Sequence, residues 1–126
     1  MTHYLPREFV NERLRLTVPT SYRILGDARH YGARISSDWV VELLNRARRG
    51  YAAGDALRGI PSDLLTGEEL AAAMSESHIT AHDLNNWSSR KKNIVPHFRL
   101  TSHTRLYRRE DVERWLMSHC VSRRTA

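Results

Sequence analysis

Between Leu65 and Leu116 the apolar residues fall at helical spacing, and polar residues mark where each helix should begin. Thr66 is followed three residues later by Glu69. A threonine at an N-cap accepts from the backbone N–H three residues on, and a glutamate there reaches back to the amide of the cap. Leu65 and Leu70 flank the pair at the positions of a hydrophobic staple. The same grammar returns fourteen residues later, with Thr80 as cap, Asp83 as its acidic partner, and Ile79 with Leu84 as the staple. Two short helices joined by residues 75–79 predict a helix-turn-helix, with residues 81–89 as the reader helix. Beyond it, residues 95–100 and 105–107 read as two short strands around the polar turn 101–104. Glu110, Asp111, Val112, Glu113, Trp115 and Leu116 then make an acidic helix start with an apolar i, i+3, i+4 stripe.

The first half carries a looser version of this order. Pro6 suits a first helical position, and Phe9, Val10 and Leu14 supply an apolar face. Residues 16–19 break the pattern. Residues 20–25 predict a second short helix ending at Gly26, a residue favoured just past a helix end. Residues 31–35 are strand-like. Ser37 is a cap candidate for a stronger helix through Trp39, Val40, Leu43, Leu44 and Ala47, with Asp38 and Glu42 early and Arg46, Arg48 and Arg49 late, as the helix dipole prefers. Gly50 is expected to close it. Leu5, Glu8, Leu14 and Thr20 match Leu65, Glu68, Met74 and Thr80 at a constant offset of sixty, and Asp38 and Leu43 match Asp111 and Leu116. Two readings stay open: a tandem of related units with the first degenerate, or helix-turn-helix segments that share only caps and leucines.

Helix, turn, helix, two-stranded hairpin and packing helix is the order of a winged helix-turn-helix. The expected fold class is therefore mainly α with small β-wings, in one unit or two in tandem. The expected segments are a helical unit at 1–50, a linker at 51–62, the winged helix-turn-helix at 63–118 and a basic tail at 119–126. Gly50, Gly54, Gly59 and Pro61 support the linker, where Ala56 and Leu57 are expected to add one helical turn.

Charge sharpens the picture. Residues 1–87 hold ten Lys/Arg against eleven Asp/Glu, whereas residues 88–126 hold ten against three, an excess of +7. The positive charge thus runs from the end of the reader helix through the hairpin to the tail, where a polyanion is the natural partner. The polar face of the reader helix carries Ala81, His82, Asn85, Asn86 and Ser89, and asparagine can read adenine bidentately in a major groove. Arg90, Lys91 and Lys92 follow directly, and Arg99, His103 and Arg105 lie on the hairpin; these are expected to meet phosphates or an adjacent minor groove. Arg108 and Arg109 either do the same or pair with Glu113. In the first half, Thr20, Ser21, Tyr22 and Arg23 hold the corresponding reader position; they either touch DNA or form a dimer or partner surface.

Leu65-Thr66-x-x-Glu69, Leu84-x-x-Trp87, Phe98-Arg99-Leu100 and Tyr107-Arg108-Arg109-Glu110-Asp111-Val112-x-x-Trp115-Leu116 carry a family resemblance. The stretch resembles the DNA-binding domain of the MerR and excisionase superfamily of winged-helix proteins, and the closing motif is its most specific part. The connection 75–79 is a few residues longer than that family's usual turn. The resemblance implies that Trp87 packs in the core rather than stacking on bases. MerR regulators continue into an effector-binding or coiled-coil region, and the chain's end soon after Leu116 points to the excisionase-like branch. Such proteins of phages, plasmids and integrative elements bind side by side near attachment sites, bend DNA and steer an integrase. Many also regulate promoters. Double-stranded DNA, integrase or RNA polymerase, and a second copy on DNA are the partners this implies.

Catalysis finds little support. His78 and His82 have i, i+4 spacing, but His78 falls in the expected turn and no second ligand pair accompanies them, so no metal is expected. Cys120 beside His119 does not make a dyad, no paired acid and base stand out, and no glycine-rich phosphate loop occurs. No enzyme activity, cofactor or small-molecule substrate is expected. A single cysteine excludes an intramolecular disulfide and fits a reducing cytoplasm. No apolar run approaches a membrane span. The expected function is a sequence-specific double-stranded DNA-binding protein of a mobile element acting as an excisionase-like architectural factor. The alternatives are a promoter-binding transcriptional regulator and a protein-binding adaptor on a winged-helix scaffold.

Overall fold

A computed structural model describes residues 3–26, 30–31, 34–52 and 54–119. The chain divides into two compact units, Met1–Ala47 with Ala53–Ser62, and Arg48–Ala52 with Asp63–Ala126. Among the described residues the architecture is mixed α/β, with six α-helices, a 3₁₀ turn and two small antiparallel sheets.

The first unit runs β1 (Tyr4–Pro6), α1 (Arg7–Arg13), α2 (Val18–Leu25), β2 (His30–Tyr31), β3 (Arg34–Ser36) and α3 (Ser37–Ala47). Strand β3 is central, pairing antiparallel with β1, where Leu5 faces Ile35, and with β2. Residues 32–33 of the expected strand lie outside the described residues. Val10, Leu14, Leu25, Ile35, Val40 and Leu44 are buried and form the core. Helix α2 starts earlier than its pattern suggested. Thr17, not Thr20, is the cap, and its hydroxyl accepts from the Thr20 amide at 3.4 Å. Pro19 does not break the helix, because in a first turn the missing N–H has no intrahelical partner to lose. Ser36 takes the capping role expected of Ser37: its hydroxyl accepts from Trp39 N at 3.4 Å, whereas Ser37 bonds to the backbone of His3. Leu57 is not helical. Asn45 holds it through both amide groups, accepting from Leu57 N at 2.7 Å and donating to Leu57 O at 3.1 Å.

The second unit comprises β4 (Arg48–Arg49), β5 (Leu64–Thr66), α4 (Gly67–Ala73), the 3₁₀ turn Ser75–Ser77, α5 (Ala81–Ser88), β6 (His97–Arg99), β7 (Arg105–Arg108) and α6 (Arg109–His119). Its sheet order is β4-β6-β7-β5, with Leu65 opposite Tyr107, Phe98 opposite Leu106 and Arg48 opposite Phe98. Arg48 and Arg49 therefore do not end a helix; they extend because β6 offers them an edge to pair with. Gly50 does not close a helix either. Its φ is 78°, and a Cβ there would lie 2.6 Å from the carbonyl oxygen of Ile94, so close backbone approach demands glycine. Tyr51, expected in a linker, donates its hydroxyl to the Asp111 carboxylate, and its ring lies 5.4 Å from Phe98. Burial, reinforced by Asp111, pushes its phenol well above the ordinary tyrosine range.

Both capping boxes form. Thr66 Oγ1 accepts from Glu69 N at 3.1 Å while Thr66 N donates to the Glu69 carboxylate at 2.9 Å, and Thr80 with Asp83 repeats the exchange at 3.1 and 3.0 Å. Replacing Thr66 or Thr80 by alanine should each cost about 1 kcal/mol, measured as a shift of the urea midpoint; no shift at either site would contradict the capping role. Behind the caps, Leu70, Ile79, Leu84, Trp87, Val112 and Trp115 belong to one buried cluster, with Leu65 packed against it.

The two units share one order, β-α-α-β-β-α, and in each the third strand pairs with both others, β4 being an addition at the β6 edge. Buried residues correspond: Val10 with Leu70, Leu14 with Met74, Ile35 with Tyr107, Val40 with Val112. The offset of sixty holds only through the first helix. The 3₁₀ turn Ser75–Ser77 then adds three residues, so Thr17 corresponds to Thr80, and Leu44, not Leu43, corresponds to Leu116.

Candidate nucleic-acid interface

Helix α5 is amphipathic in the expected sense. Leu84, Trp87 and Ser88 are buried, His82, Asn85 and Asn86 are exposed, Ser89 is the exposed C-cap, and Ala81 is half-buried. His82 and Asn86, one turn apart, touch through Nε2 and Nδ2 at 3.2 Å. The C-terminal turn of α5 is where the hairpin docks. Arg99 donates to Ser88 O at 2.8 Å. Arg105 Nη1 lies 2.9 Å from Asn85 Oδ1, 3.2 Å from Asn85 O, 2.6 Å from Ser88 Oγ and 2.9 Å from Ser89 Oγ. Arg99 and Arg105 face each other across the β6–β7 ladder, a like-charge pair that opposes pairing. The carbonyl-rich end of α5, which carries partial negative charge, draws on both and relieves the repulsion. Burial, then the nearby Arg105 and Arg49, push the Arg99 guanidinium below its ordinary pKa.

These two arginines are thus not at a wing tip. The turn between the strands carries the exposed His103, while Arg99 and Arg105 reach sideways onto the helix. Arg108 is also engaged, with Nε 3.0 Å from Asp63 Oδ1. Arg109 bonds to Glu113, Glu76 and the carbonyl of Ala73. Arg90 lies over the Trp115 ring at 5.8 Å, and Lys91 and Lys92 are exposed beyond it. Asn93 at φ 52° and the bond from Val95 N to Trp87 O turn the chain back towards the sheet. Lys91 and Lys92 therefore stand out as exposed cations beside the helix end.

His97 is a residue that hydrophobic patterning did not single out. It is fully buried, its Nδ1 lies 2.8 Å from Val95 O, and its Nε2 has no hydrogen-bond partner among the described residues. Burial lowers its pKa to about 4, and the Arg99, Arg105 and Arg49 charges push the same way.

In the first unit, the positions of Ala81, His82, Asn85 and Asn86 are taken by Val18, Pro19, Tyr22 and Arg23. Val18 and Tyr22 are more than half exposed, and Arg7 lies over the Tyr22 ring at 4.0 Å. Ser21 is buried and accepts from Arg7 at 2.9 Å, so it cannot face a groove, and Thr20 is half-buried in the cap turn. Only Tyr22 and Arg23 of the four expected contacts face outward.

Among the described residues no group of three or more His, Cys, Asp or Glu is placed to hold a metal, and no helix is long and apolar enough to cross a membrane. Asp27, Cys120 and the basic tail lie outside the described residues, as does the side chain of His119. No protein-family model, curated protein or solved structure matches the chain significantly.

Proposed function

We propose that residues 63–118 form a winged helix-turn-helix of the MerR and excisionase kind, and that the protein binds double-stranded DNA sequence-specifically as an excisionase-like architectural factor of a mobile element. The observation that carries this reading is the row His82, Asn85, Asn86 and Ser89, exposed on a doubly capped second helix whose end is clamped by two hairpin arginines. A base-reading helix needs polar groups held at fixed positions, and this one has a rigid mount. Arg90, Lys91 and Lys92 supply the sequence-independent attraction to phosphates. Bending of the target and contacts between neighbouring copies, or with an integrase, complete an architectural role. The apolar α2 face of the first unit, with Val18 and Tyr22, supports assigning that unit to protein contacts rather than base reading. A promoter-binding regulator, contacting RNA polymerase, would use the same surface.

Selection from a random duplex pool tests the reading. An enriched motif is expected, and Asn85→Ala with Asn86→Ala should remove roughly 5- to 150-fold of base discrimination at the positions they read. Lys91→Ala with Lys92→Ala should instead weaken binding to all sequences and lower the salt slope by about two. A motif beside an integrase attachment site would favour excision, and one at a promoter would favour regulation. Absence of any DNA binding would sink the reading and promote the adaptor.

A further inference from the structure

We propose that Arg105 is a positioning residue for base readout: it fixes which end of the Asn85 amide points outward, and so sets the preference at one base-pair position without touching the base. This rests on the DNA-binding reading above. A free asparagine on a helix surface can turn its amide over, exchanging an acceptor for two donors at the same place. Arginine carries donors only, so whatever faces Arg105 must be an acceptor, and Asn85 Oδ1 lies 2.9 Å from it. The amino group Nδ2 is thereby left on the other side.

The guanidinium doing this is itself immobilised. The same nitrogen bonds to Asn85 O, Ser88 Oγ and Ser89 Oγ, all from one turn of α5. Ser88 is buried, donates to Asn85 O at 3.0 Å and lies 3.3 Å from the Tyr107 hydroxyl, which ties the cluster to β7. Among the described residues Asn86 has no comparable clamp; its amide meets the exposed His82 ring on its own helix. Of the two adjacent asparagines, Asn85 is therefore the one whose donor and acceptor are assigned in advance. Fixed polarity matters because base edges differ in the order of donors and acceptors, and a reader that flips freely tells them apart poorly.

A phosphate-binding Arg105 and a positioning Arg105 give different outcomes. Binding-site selection is run on the full chain, on Asn85→Ala, on Arg105→Ala and on the double variant, with salt titrations of each. Asn85→Ala identifies the position it reads. Arg105→Ala is expected to flatten that same position, removing roughly 5- to 150-fold of discrimination, while other positions and the salt slope stay as they were. Adding Asn85→Ala to Arg105→Ala should then change that position no further. Should Arg105→Ala fail to fold by circular dichroism, Arg105→Met carries the test: the apolar stem stays, the donors go, and the same selective flattening is expected. An even loss over all sequences with the slope falling by about one, or Arg105→Met keeping full discrimination, would overturn the positioning role and leave DNA binding standing. A motif in which Asn85→Ala flattens nothing would do the same. A wild-type chain that selects no motif would overturn both.

Discussion

Trp87→Ala should cost about 3–5 kcal/mol of stability, the range for removing a large aromatic from a packed core, and should abolish DNA selection with it. Trp87 sits on the same helix as the exposed polar row but points the other way. It is 7% exposed, and its ring lies 5.4 Å from Trp115 on α6 at an interplanar angle of 46°. The pair joins the candidate reader helix to the closing helix, and Arg90 lies over the far partner. Without the indole, α5 loses its seat and the amides of Asn85 and Asn86 lose their common frame. Against a total stability of about 5–15 kcal/mol for a native protein, such a loss is expected to move the urea midpoint, followed by far-UV circular dichroism, far below that of the parent. Asn85→Ala and Asn86→Ala should leave the midpoint almost unchanged, because neither side chain enters the core. If Trp87→Ala instead kept the parental midpoint and lost only DNA affinity, the indole would be a base-stacking group and its packed placement would be wrong.

How far the chain could be read in advance follows from how local each signal is. The capping boxes at Thr66 and Thr80 were legible because a cap is written within four residues and needs no tertiary partner. The start of α2 is not legible locally, because Thr17 has no acidic partner three residues on and Pro19 resembles a breaker although it lies in a first turn. The strands β1, β4 and β5 are two or three residues long and exist through pairing with distant segments, so Arg48–Arg49 followed a helix and passed for its basic end. The exposed face of α5 followed from periodicity alone. The tasks of Arg99 and Arg105 did not, because these depend on where a hairpin meets the last turn of a helix, which no spacing along the chain encodes.

The same order of elements presents a polar row on α5 and a largely apolar one on α2, while the buried positions behind both remain apolar. Core residues keep the helix in place, and the outward residues are free to change chemistry without disturbing the fold. The contacts at the helix end differ too. Arg7, from the first helix, bonds to Ser21 and reaches Gly26 O in the first unit, whereas Arg99 and Arg105 come from the hairpin in the second. A hairpin clamp couples the β6–β7 hairpin to the exposed polar row of α5.

Acid should lower the stability of the second unit through His97. Its folded pKa is lowered from 6.5 to about 4, first by burial and then by the arginines Arg99, Arg105 and Arg49 around it. Because the folded state resists the proton and the unfolded state accepts it, this contribution to stability is full above about pH 6.5 and is lost as the pH falls towards 4. A shift of that size corresponds to about 3 kcal/mol between the two ends of the window. The neutral ring donates from Nδ1 to Val95 O, and Nε2 faces no partner that could stabilise a second proton. His97→Asn is the informative variant, since an asparagine amide can donate in the place of Nδ1 and does not titrate. Urea midpoints at pH 7, 5.5 and 4 should fall more steeply for the parent than for His97→Asn, so the stability gap between them narrows with acid. The carboxylates are common to both chains and cancel in that difference. Parallel curves would show that His97 takes up its proton as readily folded as unfolded.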